Sequence, residues 1–368
     1  MAHRIVVIGA GYSGLRPARR LARLLPEASV TVVNPRARFV ERVRLHQVAA
    51  GYRPREYALR DLLRAEGAEL VVGTVETLDL RGRLLEVDTL AEPLPYDTLV
   101  YALGSVAEAG PDGAAEHAVT VADLGQASRL RDRVDSLARD RGTVVVVGGG
   151  LTGIESAAEL AESHPELRVR LLSATAPGST LSVRGSRHVR AALHRLGVEV
   201  HPEAKVVGVH PGGVELAGGT QVEAGLTVWA SGFGVPDLAG WAGIAVADGG
   251  RVAVDSSLRS RMHSDVYAVG DSAAAHGPGG RPMRLSCATA LPLGRYAADV
   301  IAARVHGHQP RELRFRYVIQ CVSLGRRDGL IQFVAADDSP HEKIITGIAA
   351  AVIKECVVRY AVRSATGR

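Results

Sequence analysis

Short runs of Val, Ile and Leu alternate along the chain with longer stretches in which apolar residues return every third or fourth position. This is the pattern of buried strands joined by amphipathic helices. The first run, residues 4–8 (Arg-Ile-Val-Val-Ile), leads into Gly9-Ala10-Gly11-Tyr12-Ser13-Gly14 and then into a helical pattern over residues 15–25. Pro17 falls near the first turn of that helix, where a missing N–H is tolerated. A second apolar run at residues 30–33 closes a strand–helix–strand unit of about 30 residues, the size of a dinucleotide-binding half.

The unit then recurs. Residues 143–147 (Thr-Val-Val-Val-Val) run into Gly148-Gly149-Gly150-Leu151-Thr152-Gly153, a helical pattern over 154–162 and a strand over 169–172. Turn-rich stretches at 109–113 and 247–250 mark domain crossings. The expected fold class is α/β, with two Rossmann-like units, the first interrupted by the second.

Size and composition agree. The 368 residues exceed the roughly 250–300 that one core organises. With 46% hydrophobic and 23% charged residues the chain reads as globular throughout. The net charge of +5 comes almost wholly from arginines dispersed among acids, without the basic, aromatic-laced cluster a nucleic-acid site needs, so no nucleic-acid partner is expected. Cys287, Cys321 and Cys356 lie far apart, which supports neither a disulfide framework nor a metal site. That cysteine usage, and a start that runs straight into a strand with no signal-peptide pattern, predict a cytoplasmic setting. The apolar stretch at 344–353 is shorter than the roughly 20 residues a membrane span requires.

Gly9, Gly11 and Gly14 follow a buried strand and open a helix, which directs backbone N–H groups and the positive helix end at a pyrophosphate. Gly148, Gly150 and Gly153 repeat the arrangement. An acid about 20 residues beyond such glycines commonly binds the adenosine ribose. Asn34 stands there in the first unit and Ser173 in the second. A carboxylate at the second position would repel the extra phosphate of NADP, so Ser173 leans the expectation from NADH toward NADPH. Arg184 and Arg187, in a loop-like stretch downstream, are either phosphate contacts or surface charge.

Taken with Tyr96-Asp97-Thr98-Leu99-Val100-Tyr101-Ala102-Leu103-Gly104-Ser105, Trp229-Ala230-Ser231-Gly232-Phe233 and Val266-Tyr267-Ala268-Val269-Gly270-Asp271, these motifs in this order resemble the FAD/NAD(P)-dependent pyridine nucleotide oxidoreductases. Within that family the chain is most similar to the type II NADH dehydrogenase and apoptosis-inducing-factor-like branch. The resemblance implies an FAD-binding domain at 1–115 and 250–308, an inserted NAD(P)H-binding domain at 116–249, and a C-terminal α+β region at 309–368 completing the flavin site. It implies that Gly104, Gly270 and Asp271 contact the flavin cofactor and that Glu155 sits near the nicotinamide. The stretch 39–47 should approach the flavin, where Arg44, His46 or Gln47 could stabilise negative charge; otherwise these are surface residues.

Two departures bear on the acceptor. No redox cysteine pair is visible, which argues against disulfide reduction. Ala288 and Pro292 occupy the positions where type II dehydrogenases resemble Ala-Gln-x-x-x-Gln, which places ubiquinone-type reduction in question. The tail sets Ile345, Ile348, Val352 and Cys356 at helical spacing among Lys354, Arg359 and Arg363, which a docked helix or a homodimer contact explains more simply than a membrane surface. The expected function is FAD-dependent transfer from NAD(P)H to a small quinone-like or aromatic acceptor. Direct oxidation of a metabolite by the flavin, and a redox-dependent interaction module, are the alternatives.

Overall fold

The computed structural model describes residues 2–368. Its first unit opens with β1 (Arg4–Ile8), α1 (Tyr12–Leu24) and β2 (Ser29–Asn34), continues through the short α2 (Leu45–Ala49), and adds β3 (Glu69–Val72) and β4 (Thr98–Tyr101). The second unit comprises β5 (Ala118–Thr120), α3 (Leu124–Arg139), β6 (Thr143–Val147), α4 (Leu151–Ser163), β7 (Arg168–Leu172), α5 (Val183–Arg195), β8 (Glu199–His201) and β9 (Leu226–Trp229). The chain then returns to the first unit with β10 (Val266–Ala268) and α6 (Cys287–Val305). It ends in β11 (Ile319–Ser323), β12 (Gly329–Val334), β13 (Pro340–Thr346) and α7 (Gly347–Thr366).

Two five-stranded parallel sheets result, ordered β10-β4-β1-β2-β3 and β5-β9-β6-β7-β8. Parallel strands are covered on both faces, which is why their sequences read as unbroken apolar runs. Ile5, Val7 and Ile8 are fully buried in the first sheet, and Val144, Val145 and Val146 in the second. The two Rossmann-like units and the C-terminal α+β region are thus those expected from the sequence.

Both glycine turns start their helices about three residues earlier than the periodicity suggests, because Gly11 and Gly150 serve as extended N-caps. Pro17 consequently lies inside α1 rather than in its first turn. The Ser13 carbonyl, which an N–H at position 17 would otherwise approach, faces Gly294 of α6 at close range.

The C-terminal sheet, β11-β12-β13, is antiparallel and places Val322, Leu324 and Leu330 in the core of the second unit. Helix α7 crosses this sheet and ends beneath α1, where Ala361, Val362 and Ala365 join the first core. Arg16 and Arg19 of α1 donate to the Ser364 and Ala365 carbonyls, closing some of the orphan acceptors at the helix end. The helix docks as expected, but on a different face. Ala350, Val358, Ala361, Val362 and Ala365 turn inward, whereas Ile348, Val352 and Cys356, expected on the packed side, are exposed together with Tyr360.

Candidate functional site

The two glycine turns are near copies. Gly9 (φ +96°) and Gly148 (φ +127°) occupy left-handed backbone, and a Cβ on either would lie 2.5 Å and 2.6 Å from the carbonyl oxygens of Ala102 and Ala230. Gly14 and Gly153 press against the carbonyls of Gly9 and Gly148 so closely that no side chain fits. Gly11 and Gly150 face open space. An open middle glycine at a helix N-terminus is the cradle a pyrophosphate requires, so both turns fit a dinucleotide.

Asn34 is engaged within the first turn: its Oδ1 accepts from Ala10 N at 2.9 Å and its Nδ2 donates to the Arg36 carbonyl at 2.7 Å. Beside the turn, Gly104 N donates to Ser272 Oγ at 2.7 Å and Ser105 Oγ to Asp271 Oδ2 at 2.8 Å. Arg42 donates to the Ser105 carbonyl at 2.6 Å. The fold thus brings Gly104 and Asp271 to one place through Ser272 and Ser105, with Gly270 adjoining Asp271 in sequence, and adds Arg42 and Ser272 to the candidate residues.

The second turn lines a cleft of about 530 Å³ bounded also by Ser173, Thr175, Lys205 and Trp229. Ser173 is buried against Gly149. Trp229 Nε1 is buried with no hydrogen-bond partner. Arg184 and Arg187 lie on α5 rather than in a loop, and neither lines this cleft.

Between the units, α2, α4 and α7 converge on Glu155. Its carboxylate forms an ion pair with Lys354 and accepts from Ser323 N at 2.9 Å, and His46 Nδ1 stands 4.0 Å away. Burial alone would push this carboxyl up, but the Lys354 charge, His46 and the hydrogen bonds outweigh it and hold it below the ordinary value. His46 is pushed down to about 4 by burial, against the pull of Glu155, with Lys354, Arg326 and Arg44 reinforcing the shift. It is neutral at pH 7, and its Nε2 is buried without a partner. Orphaned polar atoms at a junction of cofactor-sized cradles fit a site completed by bound molecules.

Arg44 and Gln47 are buried, not surface residues. Arg44 makes a two-pronged pair with Glu355 of α7, 2.8 Å on each arm, donates a single bond from Nε to Glu41 Oε2 at 2.8 Å, and donates to Gln47 Oε1 at 3.2 Å. Its charge is matched by carboxylates of the protein, so it pins α7 beside Glu155 rather than offering a free cation. Ala288 and Pro292 lie near the start of α6, the first exposed and the second half-buried. Lys354 is a further site residue that the sequence does not single out; its only signal is a lysine in an apolar tail, one of three in the chain with Lys205 and Lys343. No group of His, Cys, Asp and Glu suited to a metal ion occurs among the described residues.

A sequence model of the pyridine nucleotide-disulphide oxidoreductases matches residues 3–290. An NADH dehydrogenase-like protein of Mycobacterium tuberculosis is 32% identical over 343 residues, covering 88% of this chain and 86% of that protein. A type II NADH:quinone oxidoreductase of Staphylococcus epidermidis is 28% identical, with 89% of each chain covered. Among solved structures, the sulfide:quinone oxidoreductase of Aquifex aeolicus superposes with a TM-score of 0.84 at 20% identity, over 100% of this chain and 92% of that one. NDH2 of Plasmodium falciparum in complex with NADH does so with a TM-score of 0.82 at 15% identity, over 100% and 97%. These structural likenesses speak for the fold. The chain belongs to the pyridine nucleotide-disulphide oxidoreductase family and is an NADH dehydrogenase-like, FAD-dependent NAD(P)H oxidoreductase.

Proposed function

We propose that the chain reduces a small quinone-like or aromatic acceptor with NAD(P)H, at the junction where Glu155, Lys354 and His46 meet. The observation that carries this reading is that buried, matched cluster, built by α2, α4 and α7 between two dinucleotide cradles. Residues 1–115 and 250–308 form the FAD-binding domain, with Gly9, Gly11, Gly14, Gly104, Gly270 and Asp271 as its contacts and Asn34 bracing its turn. Residues 116–249 form the NAD(P)H-binding domain through Gly148, Gly150, Gly153 and Ser173, and residues 309–368 close the site. Bound FAD supplies the redox chemistry, taking a hydride from the nicotinamide and passing two electrons to the acceptor. Glu155 Oε1, kept ionised by Lys354, orders the junction, and neutral His46 presents Nε2 as a polar contact. Arg44 and Gln47 act by positioning α7.

The strand end at Ser173 carries no carboxylate to repel a 2′-phosphate, and Lys205 brings a cation to the same cleft, which supports acceptance of NADPH beside NADH. Ala288 and Pro292 present no amide to an acceptor, which favours an apolar aromatic ring. The named activity of the Staphylococcus relative favours a quinone within that class. The exposed apolar edge of α7, bordered by Arg359 and Arg363, supports peripheral contact with an anionic membrane surface, where such acceptors dissolve.

An anaerobic titration of the yellow protein with NADH and NADPH, followed by a water-soluble quinone, tests the reading. Bleaching by a nicotinamide and recovery of colour with the quinone are expected. Failure of both nicotinamides to bleach bound flavin would move the assignment to direct oxidation of a metabolite.

A further inference from the structure

Glu155 and Lys354 reach the junction by separate routes. Glu155 lies on α4, which starts in the second glycine turn, whereas Lys354 arrives on α7, 199 residues later. A hydrogen-bonded ion pair weakens steeply when one partner moves by about 1 Å, so two segments this far apart in sequence need a contact that registers them.

The start of α7 supplies one. Its N-cap residue, Thr346, makes no side-chain cap bond, and Gly347, the first helical residue, holds φ +71°. The first N–H of the helix, on Gly347, is taken instead by Asp328 Oδ1 at 2.9 Å. Asp328, in the turn between β11 and β12, is 7% exposed. The same oxygen accepts from Gly329 N at 2.7 Å and stands 3.0 Å from His188 Nε2, while Oδ2 pairs with Arg195. His188 and Arg195 share one face of α5, at i and i+7. Burial alone would raise the Asp328 carboxyl, but Arg195 and His188 hold it below the ordinary value, so these donors meet a charged acceptor.

Helix α5 is in turn braced against the nucleotide cradle. Ser186 Oγ donates to the Gly178 carbonyl at 2.8 Å, and Gly178 N donates to the Gly149 carbonyl at 3.0 Å. On the far side of Asp328, Gly347 and Lys354 are separated by about two turns of helix, roughly 10 Å. Helix α7 is thus pinned at its first N–H to the second unit and, through Glu355 and Arg44, to the first.

We propose that Asp328 is a positioning residue for the reaction: by holding the first N–H of α7 against α5, it sets Lys354 in register with Glu155. The inference rests on the reading of the Glu155 and Lys354 junction given above, and Asp328 acts through Lys354. A purely stabilising role would follow the charge of Asp328 and its pair with Arg195. A positioning role follows the acceptor at Gly347 N. Conservative substitutions separate the two. Asp328→Asn keeps an oxygen for Gly347 N and gives up the Arg195 pair, whereas Asp328→Glu keeps the charge and displaces the oxygens by one methylene, about 1.5 Å.

The test follows anaerobic bleaching of the FAD-loaded protein by NAD(P)H. Asp328→Glu should lower the limiting rate at least about tenfold and leave the nucleotide concentration for half-maximal rate within about twofold. Asp328→Asn should bleach within about threefold of the wild-type rate, even where its melting temperature falls. Lys354→Met should slow bleaching by itself, and adding Asp328→Glu should then cost nothing further, because both changes act on one contact. A wild-type rate in Asp328→Glu, an Asn variant as slow as the Glu variant, or a full further loss in the Lys354→Met background overturns the positioning role and leaves the junction reading intact. Bleaching of Lys354→Met at the wild-type rate overturns the junction reading, and the inference with it.

Discussion

His46 is a histidine that the fold keeps neutral, its value lying near 4 in the folded chain against an ordinary 6.5. Between those values the unfolded chain binds more protons than the folded one, so stability rises with pH through the window and is lost as pH falls from 6.5 toward 4. The loss is on the order of 3 kcal/mol. Glu155, whose folded value is depressed, loses its own contribution at still lower pH, in the same direction. Urea unfolding at pH 7 and pH 4.5 measures the difference, and His46→Asn should flatten it; an equal slope in the variant would assign the acid sensitivity elsewhere. Lys354 offers the complementary case. Lys354→Met strands a buried carboxylate, at a cost of about 3–5 kcal/mol, and adding Glu155→Gln should return most of that stability without returning acceptor turnover. Thermal melts of the two variants, read beside quinone reduction, separate the electrostatic cost from the chemical one.

At the level of elements, the two strand–turn–helix units should fail separately when their first glycines are changed. Alanine at either position combines strained positive φ with a Cβ driven into a carbonyl oxygen. Gly9→Ala should yield colourless protein that takes up FAD poorly, and Gly148→Ala yellow protein that needs at least about tenfold more NAD(P)H to bleach. Absorbance after purification and a bleaching titration decide both. These turns were legible in the sequence because their requirement is local: strand, three spaced glycines and helix are contiguous, and only glycine fits. Lys354 was not legible, since it meets Glu155 across 199 residues and nothing near it in sequence announces a partner. The inward face of α7 differs from the one the periodicity implies for another reason. Both of its sides are apolar, and the one that docks is built of Ala350, Ala361 and Ala365, whose small side chains permit close approach but contribute little to a periodicity of hydropathy. Pro17 lies a turn deeper in α1 than the periodicity implies, because helix starts inside glycine turns are set by capping, not by the first large apolar residue.

Across the whole molecule, the exposed side of α7 is where the proposed contact with a membrane surface is tested. Ile348 is 68% exposed, Val352 57% and Tyr360 69%, spaced to form one edge with Cys356, and no helix among the described residues is long and apolar enough to cross a membrane. Arg359 and Arg363 lie on the same exposed side, in a chain carrying a net charge of +5. An apolar edge with cations beside it is held at an anionic interface by two additive contributions: about 1–2 kcal/mol for each large side chain withdrawn from water, and about 1 kcal/mol for each arginine brought near the lipid charge. The arginine contribution is screened by salt. Co-sedimentation with vesicles containing anionic phospholipid should therefore capture the wild-type protein at low ionic strength, release part of it as salt is raised, and fail for the double variant Ile348→Glu, Val352→Glu. That variant should still reduce a water-soluble quinone at the wild-type rate, because its two positions lie on the face of α7 opposite the residues that enter the core. If the double variant instead stays on vesicles, the apolar edge is not what holds the protein there. If it leaves the vesicles and loses water-soluble turnover as well, this face of α7 is coupled to the junction that Lys354 and Glu355 build.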